Sequence, residues 1–121
     1  MPTKKQPLTP DGRYVSFWIG RFPSEDALEA FINSGSFETE QGFRIEPPLL
    51  PFHAYDNTAT PSQLLAKLMR EPSVLKAATK QLPDQPFNSL IRHEGFRYDP
   101  AEAPRAKKKR RMTFLGTFRL R

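Results

Sequence analysis

A chain of 121 residues has room for one domain with one core. Lacking cysteine, it has no disulfide, no thiol nucleophile and no Cys-based zinc site, and no apolar run approaches the ~20 residues of a membrane-spanning helix. Its net charge of +6 comes from one segment: Arg105–Arg111, R-A-K-K-K-R-R, carries six cations, while elsewhere 13 basic residues balance 13 acids, so a uniformly basic nucleic-acid protein is excluded.

Met1–Gly12 holds three prolines, two lysines and little apolar bulk. It lacks the apolar core of a secretory signal and reads as a flexible leader, residues 1–12, ending in a turn at Pro10-Asp11-Gly12. The expected location is the cytoplasm. Residues 13–121 then form a single α+β domain with a basic loop at 105–111. Its first strand is Arg13–Phe22, R-Y-V-S-F-W-I-G-R-F, in which Val15, Phe17 and Ile19 alternate with Tyr14, Ser16 and Trp18. Both sides are apolar or aromatic, which predicts a central strand covered on both faces.

Ser24 is a good N-cap for a helix with Glu25 and Asp26 in its first turn. Ala27, Leu28, Phe31 and Ile32 give its apolar stripe, and Asn33-Ser34-Gly35 closes it. Ser36–Tyr55 predicts a long, partly extended connection with a short strand near Gly42–Ile45, because Pro47, Pro48 and Pro51 forbid regular structure after it. Phe37, Phe43, Ile45, Leu49, Leu50 and Phe52 are its expected apolar anchors. Thr60-Pro61-Ser62-Gln63 is a capping box for a helix burying Leu64, Leu65, Leu68 and Met69. Glu71-Pro72 breaks that helix, and Ser73 is expected to cap a third one with Val74, Leu75, Ala78 and Leu82 inward. Strands follow at Phe87–His93, running on through Tyr98, and at Met112–Leu120, where Met112, Phe114, Gly116, Phe118 and Leu120 share one face. Joined by a polar loop, these two most simply pair as a long-looped hairpin. The fold class is therefore α+β: a small, mostly antiparallel sheet of about four strands with about three helices.

Catalytic chemistry finds little support. His53 and His93 are 40 positions apart without a ligand spacing, and there is neither a Gly-rich phosphate loop nor a nucleophile elbow. The expectation is a protein that is not an enzyme and uses no cofactor and no metal. Trp18, with Tyr14, Arg13 and Arg21, offers a stacking platform for bases, but the doubly apolar strand favours a core role for it. The basic run offers a second reading: a small nucleic-acid-binding module using Arg105, Lys107, Lys108, Lys109, Arg110 and Arg111, with salt-sensitive affinity. A solvated loop that aids solubility accounts for the same charges. Glu38, Glu40, Tyr55 and Asp56 are polar residues in the irregular middle stretch without an evident structural task. They are the expected partner-binding residues, since binding groups concentrate on loops held by a rigid scaffold.

The segment V-S-F-W-I-G-R-F-P-S-E-D-A-L-E-A-F-I (Val15–Ile32) resembles the opening of a bacterial family known as immunity protein 22. That family begins with a V-x-I-W-V-G-x-F strand followed by an S-E-E-E-L-E-x-Y-type helix. Val15, Trp18, Gly20, Phe22, Ser24, Glu25, Leu28 and Glu29 match it residue by residue. Tyr55-Asp56, Phe87-Asn88-Ser89-Leu90-Ile91 and Phe114-Leu115-Gly116-Thr117-Phe118 resemble later family segments in the same order. The resemblance implies a small α+β protein that binds and neutralises a cognate toxin of a polymorphic toxin system, often a nuclease, by occlusion. Its partner is then a protein, with neither membrane nor nucleic acid required. Inhibitors of basic nucleases are usually acidic, whereas this chain is basic. Either acids near Glu38–Asp56 form a local patch, or the partner is acidic or not a nuclease.

Overall fold

The computed structural model describes residues 8–43, 51–83, 86–99 and 110–120. Its centre is β1 (Leu8–Gly20), flanked by β3 (Ser89–Tyr98) on one side and β4 (Met112–Arg119) on the other; β2 (Phe52–Tyr55) pairs with the outer edge of β3. All pairings are antiparallel, giving the order β2-β3-β1-β4. Among the described residues there are four helices: α1 (Glu25–Asn33), α2 (Ser36–Gln41), α3 (Pro61–Leu68) and α4 (Pro72–Lys80). The fold class is α+β, with one helix more than expected.

The alternation within β1 builds two cores. Trp18 joins Leu28, Ile32, Phe37, Phe43, Ile91, Tyr98 and Met112 under α1 and α2. Val15, Phe17 and Ile19 join Leu64, Leu65, Met69, Val74, Ala78 and Leu90 under α3 and α4. The sheet is thus covered on both faces, and β1 occupies the doubly buried middle. That position overturns the expected hairpin of the last two strands. β1 needs a neighbour on each side to satisfy its buried backbone groups, so β3 and β4 take opposite sides of it. Both run antiparallel to β1 and hence parallel to each other: β3 ends beside Leu8 and β4 begins beside Gly20, at opposite ends of β1, which a hairpin cannot join.

Two irregularities shape the sheet. In the β1–β3 pairing, Pro10 lies opposite Phe96 but Val15 lies opposite Glu94, so Asp11–Tyr14 bulge out against the single residue Gly95. Gly95 has φ 82°, left-handed backbone that suits glycine. Beyond the bulge, Leu8 and Tyr98 pair and rejoin the core around Trp18. Leu8–Gly12 therefore belong to a strand rather than to a leader: Leu8 is buried, and Asp11 folds the chain back by accepting from the Arg13 N–H and guanidinium. In the β1–β4 pairing, Trp18 faces Phe114 and Phe17 faces Gly116, leaving Leu115 as an extra residue. This bulge breaks the single apolar face expected for β4. Met112 and Phe114 pack with Trp18, whereas Leu115, Phe118 and Leu120 pack on the α4 side.

The helix starts follow their caps. Ser24 Oγ accepts from the Ala27 N–H, and Thr60 and Gln63 form the full capping box. For α4 the N-cap is Glu71, not Ser73; Pro72 takes the first helical position, and the Ser73 hydroxyl donates to Glu71 Oε1. Within α4 the buried residues are Val74 and Ala78 and Leu75 is half-buried; Leu82, expected on the same helix, lies past its end and is half-buried too. The middle stretch departs most from expectation. Ser36–Gln41 is helical, and Gly42 caps it instead of opening a strand. Phe37 and Gln41, one turn apart, are its inward positions. Ile45, Leu49 and Leu50 lie outside the described residues, and Phe52, expected as an anchor, is 60 % exposed. Among the described residues no helix is long and apolar enough to cross a membrane.

Candidate functional site

The expected contact residues separate into different environments. Glu40 is buried, and its carboxylate has a structural task. Oε1 and Oε2 accept the backbone N–H groups of Arg111 and Met112 at 2.9 and 2.8 Å. Next to it, Gln41 Nε2 donates to Glu40 Oε2 and to the Met112 carbonyl, while Gln41 Oε1 accepts from the Trp18 indole N–H at 3.1 Å. The Tyr98 hydroxyl donates to the Gln41 carbonyl oxygen. This relay ties α2, the C-terminal part of β1, the end of β3 and the start of β4 together. Glu40 is therefore removed from the contact set. Glu40→Ala should destabilise the fold by about 2 kcal/mol, the cost of stranding buried donors; urea unfolding checks this, and an unchanged midpoint would return Glu40 to the surface role.

Asp56 also has a local task. Its Oδ1 accepts from the Thr58 N–H, the Thr58 hydroxyl and the Ala59 N–H, and its Oδ2 pairs with Lys67 at 3.0 Å. Hydrogen bonds from Thr58, with help from Lys67, hold this carboxyl well below the usual carboxylate range. Tyr55 is half-buried against the Trp18 core, and Glu38 is half-buried on α2. The four residues thus do not form one site: Tyr55 and Asp56 adjoin each other on β2 and its turn, and Glu38 and Glu40 belong to α2.

What does assemble at the β2 edge was missed in the sequence. Glu25 and Glu29, one turn apart on α1, face His53 on β2; their ligand atoms all lie within 4.8 Å of one another. His53 Nε2 stands 3.4 Å from Glu29 Oε1, an ion pair whenever the imidazole is protonated. The i, i+4 spacing of the acids was legible, but the strand that brings His53 to them was not. On the other face of β2, Phe52 stands opposite Arg92, whose guanidinium lies 4.7 Å from the ring centroid. Asn88 fixes this edge to the rest of the fold. Its amide exchanges hydrogen bonds with both backbone groups of Phe22 and donates to Asn57 Oδ1, and its carbonyl accepts from the Asp56 N–H. The outcome is an edge with Glu25, Glu29, His53 and Tyr55 on one face of the sheet, Phe52 on the other and Asp56 in the turn that follows.

The other candidates from the sequence fall elsewhere. Trp18 is fully buried and cannot serve as a base platform. Of the basic run, Arg105, Lys107, Lys108 and Lys109 lie outside the described residues. Arg110 and Arg111 are exposed at the start of β4, and the Arg111 guanidinium lies 4.2 Å from the Phe22 ring centroid. Gly20, matched in the family resemblance, allows this close approach: a Cβ there would stand 2.6 Å from the Arg111 carbonyl oxygen and closer still to Met112 Sδ. His93 is buried among Phe96, Phe43 and Trp18, and its Nε2 has no hydrogen-bond partner among the described residues. In comparisons with known proteins, no family model, no curated protein and no solved structure matches the chain.

Proposed function

We propose that this protein binds and neutralises a partner protein by occlusion, and that the partner is the cognate toxin of a bacterial polymorphic toxin system, as the resemblance to the immunity protein 22 family implies. On this reading it acts in the cytoplasm through surface complementarity, with no reaction and no cofactor of its own. The observation that carries the reading is the patch at the β2 edge. Phe52, 60 % exposed on an edge strand, is an apolar anchor of the kind that interfaces bury. Glu25 and Glu29 set carboxylates on the opposite face of the same edge, beside His53, so despite the chain's positive total an acidic face suited to a basic toxin is local. Glu25 and Glu29 are also among the residues that carry the resemblance. This patch replaces the contact set containing Glu38 and Glu40.

The test is a tagged pull-down of the full chain from its native host, treated with nuclease and washed at moderate salt. One stoichiometric protein whose own activity falls on binding is the expected result. Phe52→Ala and the double variant Glu25→Lys/Glu29→Lys should each weaken that complex at least tenfold while leaving the melting temperature of the free chain nearly unchanged. Recovery of nucleic acid before nuclease treatment, and of nothing after it, would overturn the reading and move the function to Arg105–Arg111.

A further inference from the structure

We infer that the outer edge of β4 is a second docking site, one that takes an extended polypeptide segment carrying carboxylates. It lies at the opposite end of the sheet from the β2 patch and is independent of the toxin reading. β4 is an edge strand of 8 residues that pairs with β1 on one side and, among the described residues, with nothing on the other. It contains no proline, so its unpaired N–H and C=O groups present a template for a further strand. Beside its C-terminal end a groove of about 660 Å³ separates it from α4. Val74, Ala77, Phe118 and Leu120 give the groove apolar walls, and Arg13 and Arg119 line it as well.

Charge identifies the occupant. Arg119 pairs in register with Tyr14, whose ring also lies 4.6 Å from the Arg97 guanidinium and 5.8 Å from that of Arg13. The Arg13 and Arg97 guanidinium groups thus gather on the Tyr14 ring, one strand in, while Arg119 stands on the edge strand itself. Asp11 occupies Arg13 through a forked pair at 3.0 Å. Among the described residues, Arg97 and Arg119 form no ion pair. An incoming strand with an apolar side chain in the groove and a carboxylate one residue away would meet both features, because successive side chains of a strand point to opposite faces. Nucleic acid would match the arginines but leave the main-chain edge unpaired. A second copy of this chain, pairing β4 to β4 antiparallel, would bring its Arg110–Arg111 end beside Arg119 and is opposed by like charge.

The experiment uses the full ¹⁵N-labelled chain and a capped eight-residue peptide alternating valine and glutamate. Controls are the same peptide with lysine for glutamate, versions N-methylated on either alternate set of amides, and an eight-residue oligothymidylate. Amide shifts confined to Met112–Leu120 and their β1 neighbours are expected, with the glutamate peptide binding at least tenfold tighter than the lysine one. One methylated version should lose binding. Arg119→Glu should lower affinity at least tenfold without altering the remaining spectrum, and Phe52→Ala should leave it unchanged. The inference is overturned if the glutamate peptide shifts no β4 amides at millimolar concentration, if the lysine peptide binds equally well, or if the oligonucleotide binds this edge in its place. A concentration-dependent dimer giving the β4 shifts without peptide would overturn it too.

Discussion

Trp18→Ala is expected to remove about 3–5 kcal/mol of stability, the range for truncating a large aromatic in a core. The side chain is fully buried, and its ring lies 5.0 to 6.4 Å, centroid to centroid, from those of Phe37, Tyr98, Phe114, Phe43 and His93. These neighbours belong to different elements, so the cavity cannot close by shifting one of them. The indole N–H is also a polar link. Its loss leaves Gln41 Oε1 without that donor in a buried relay, adding to the cavity cost. Against a typical total of about 5–15 kcal/mol for a domain, the variant would be partly unfolded at modest temperature. Urea unfolding followed by far-ultraviolet circular dichroism measures the effect, since the only tryptophan is gone. Trp18→Phe should lose less, keeping much of the ring packing but not the hydrogen bond. A Trp18→Ala chain of near-normal stability would contradict the central position assigned to β1.

Acidification is expected to destabilise the fold through His93. Burial among aromatic rings lowers its pKa from 6.5 to about 4. The folded state thus binds the proton less readily than the unfolded one. Above pH 6.5 both states are neutral and the full stability is present. Between pH 6.5 and about 4 only the unfolded state gains the proton, and stability falls with falling pH. At 1.36 kcal/mol per pKa unit the loss reaches about 3 kcal/mol. His93→Phe should abolish this dependence while retaining an aromatic ring in the cluster, and should also remove the partnerless Nε2. Equilibrium unfolding at pH 7, 6, 5 and 4.5 for both chains gives the difference; parallel pH profiles would show that another group is responsible.

Both predictions rest on β1, and its character was plain in the sequence. The alternation of Val15, Phe17 and Ile19 with Ser16 and Trp18 dictates a strand buried on both faces. Ser24 and the Thr60–Gln63 capping box dictate where α1 and α3 begin, because these signals act within a few residues. The Leu64-Leu65 and Val74/Ala78 spacings likewise set the inward faces of their helices.

Neighbour choice is not local, and there only the tertiary structure decided. The need of β1 for a partner on each side separated β3 from β4, and the Leu115 bulge moved half of β4 to the other core. The six-residue α2 was obscured by the glycines bounding it, although Phe37 and Gln41 stand one turn apart. It takes its definition from long-range bonds: Glu40 to the β4 amides and Gln41 to Trp18. Glu40 looked like a free surface acid because its partners are backbone groups about 70 residues away, and backbone donors leave no mark in the residue pattern. The candidate surfaces follow the same division. Acids at one-turn spacing and an edge-strand phenylalanine were visible separately. Only the pairing of β2 with β3 set His53 beside Glu29, and only the placement of β4 at the rim left an open strand carrying Arg119.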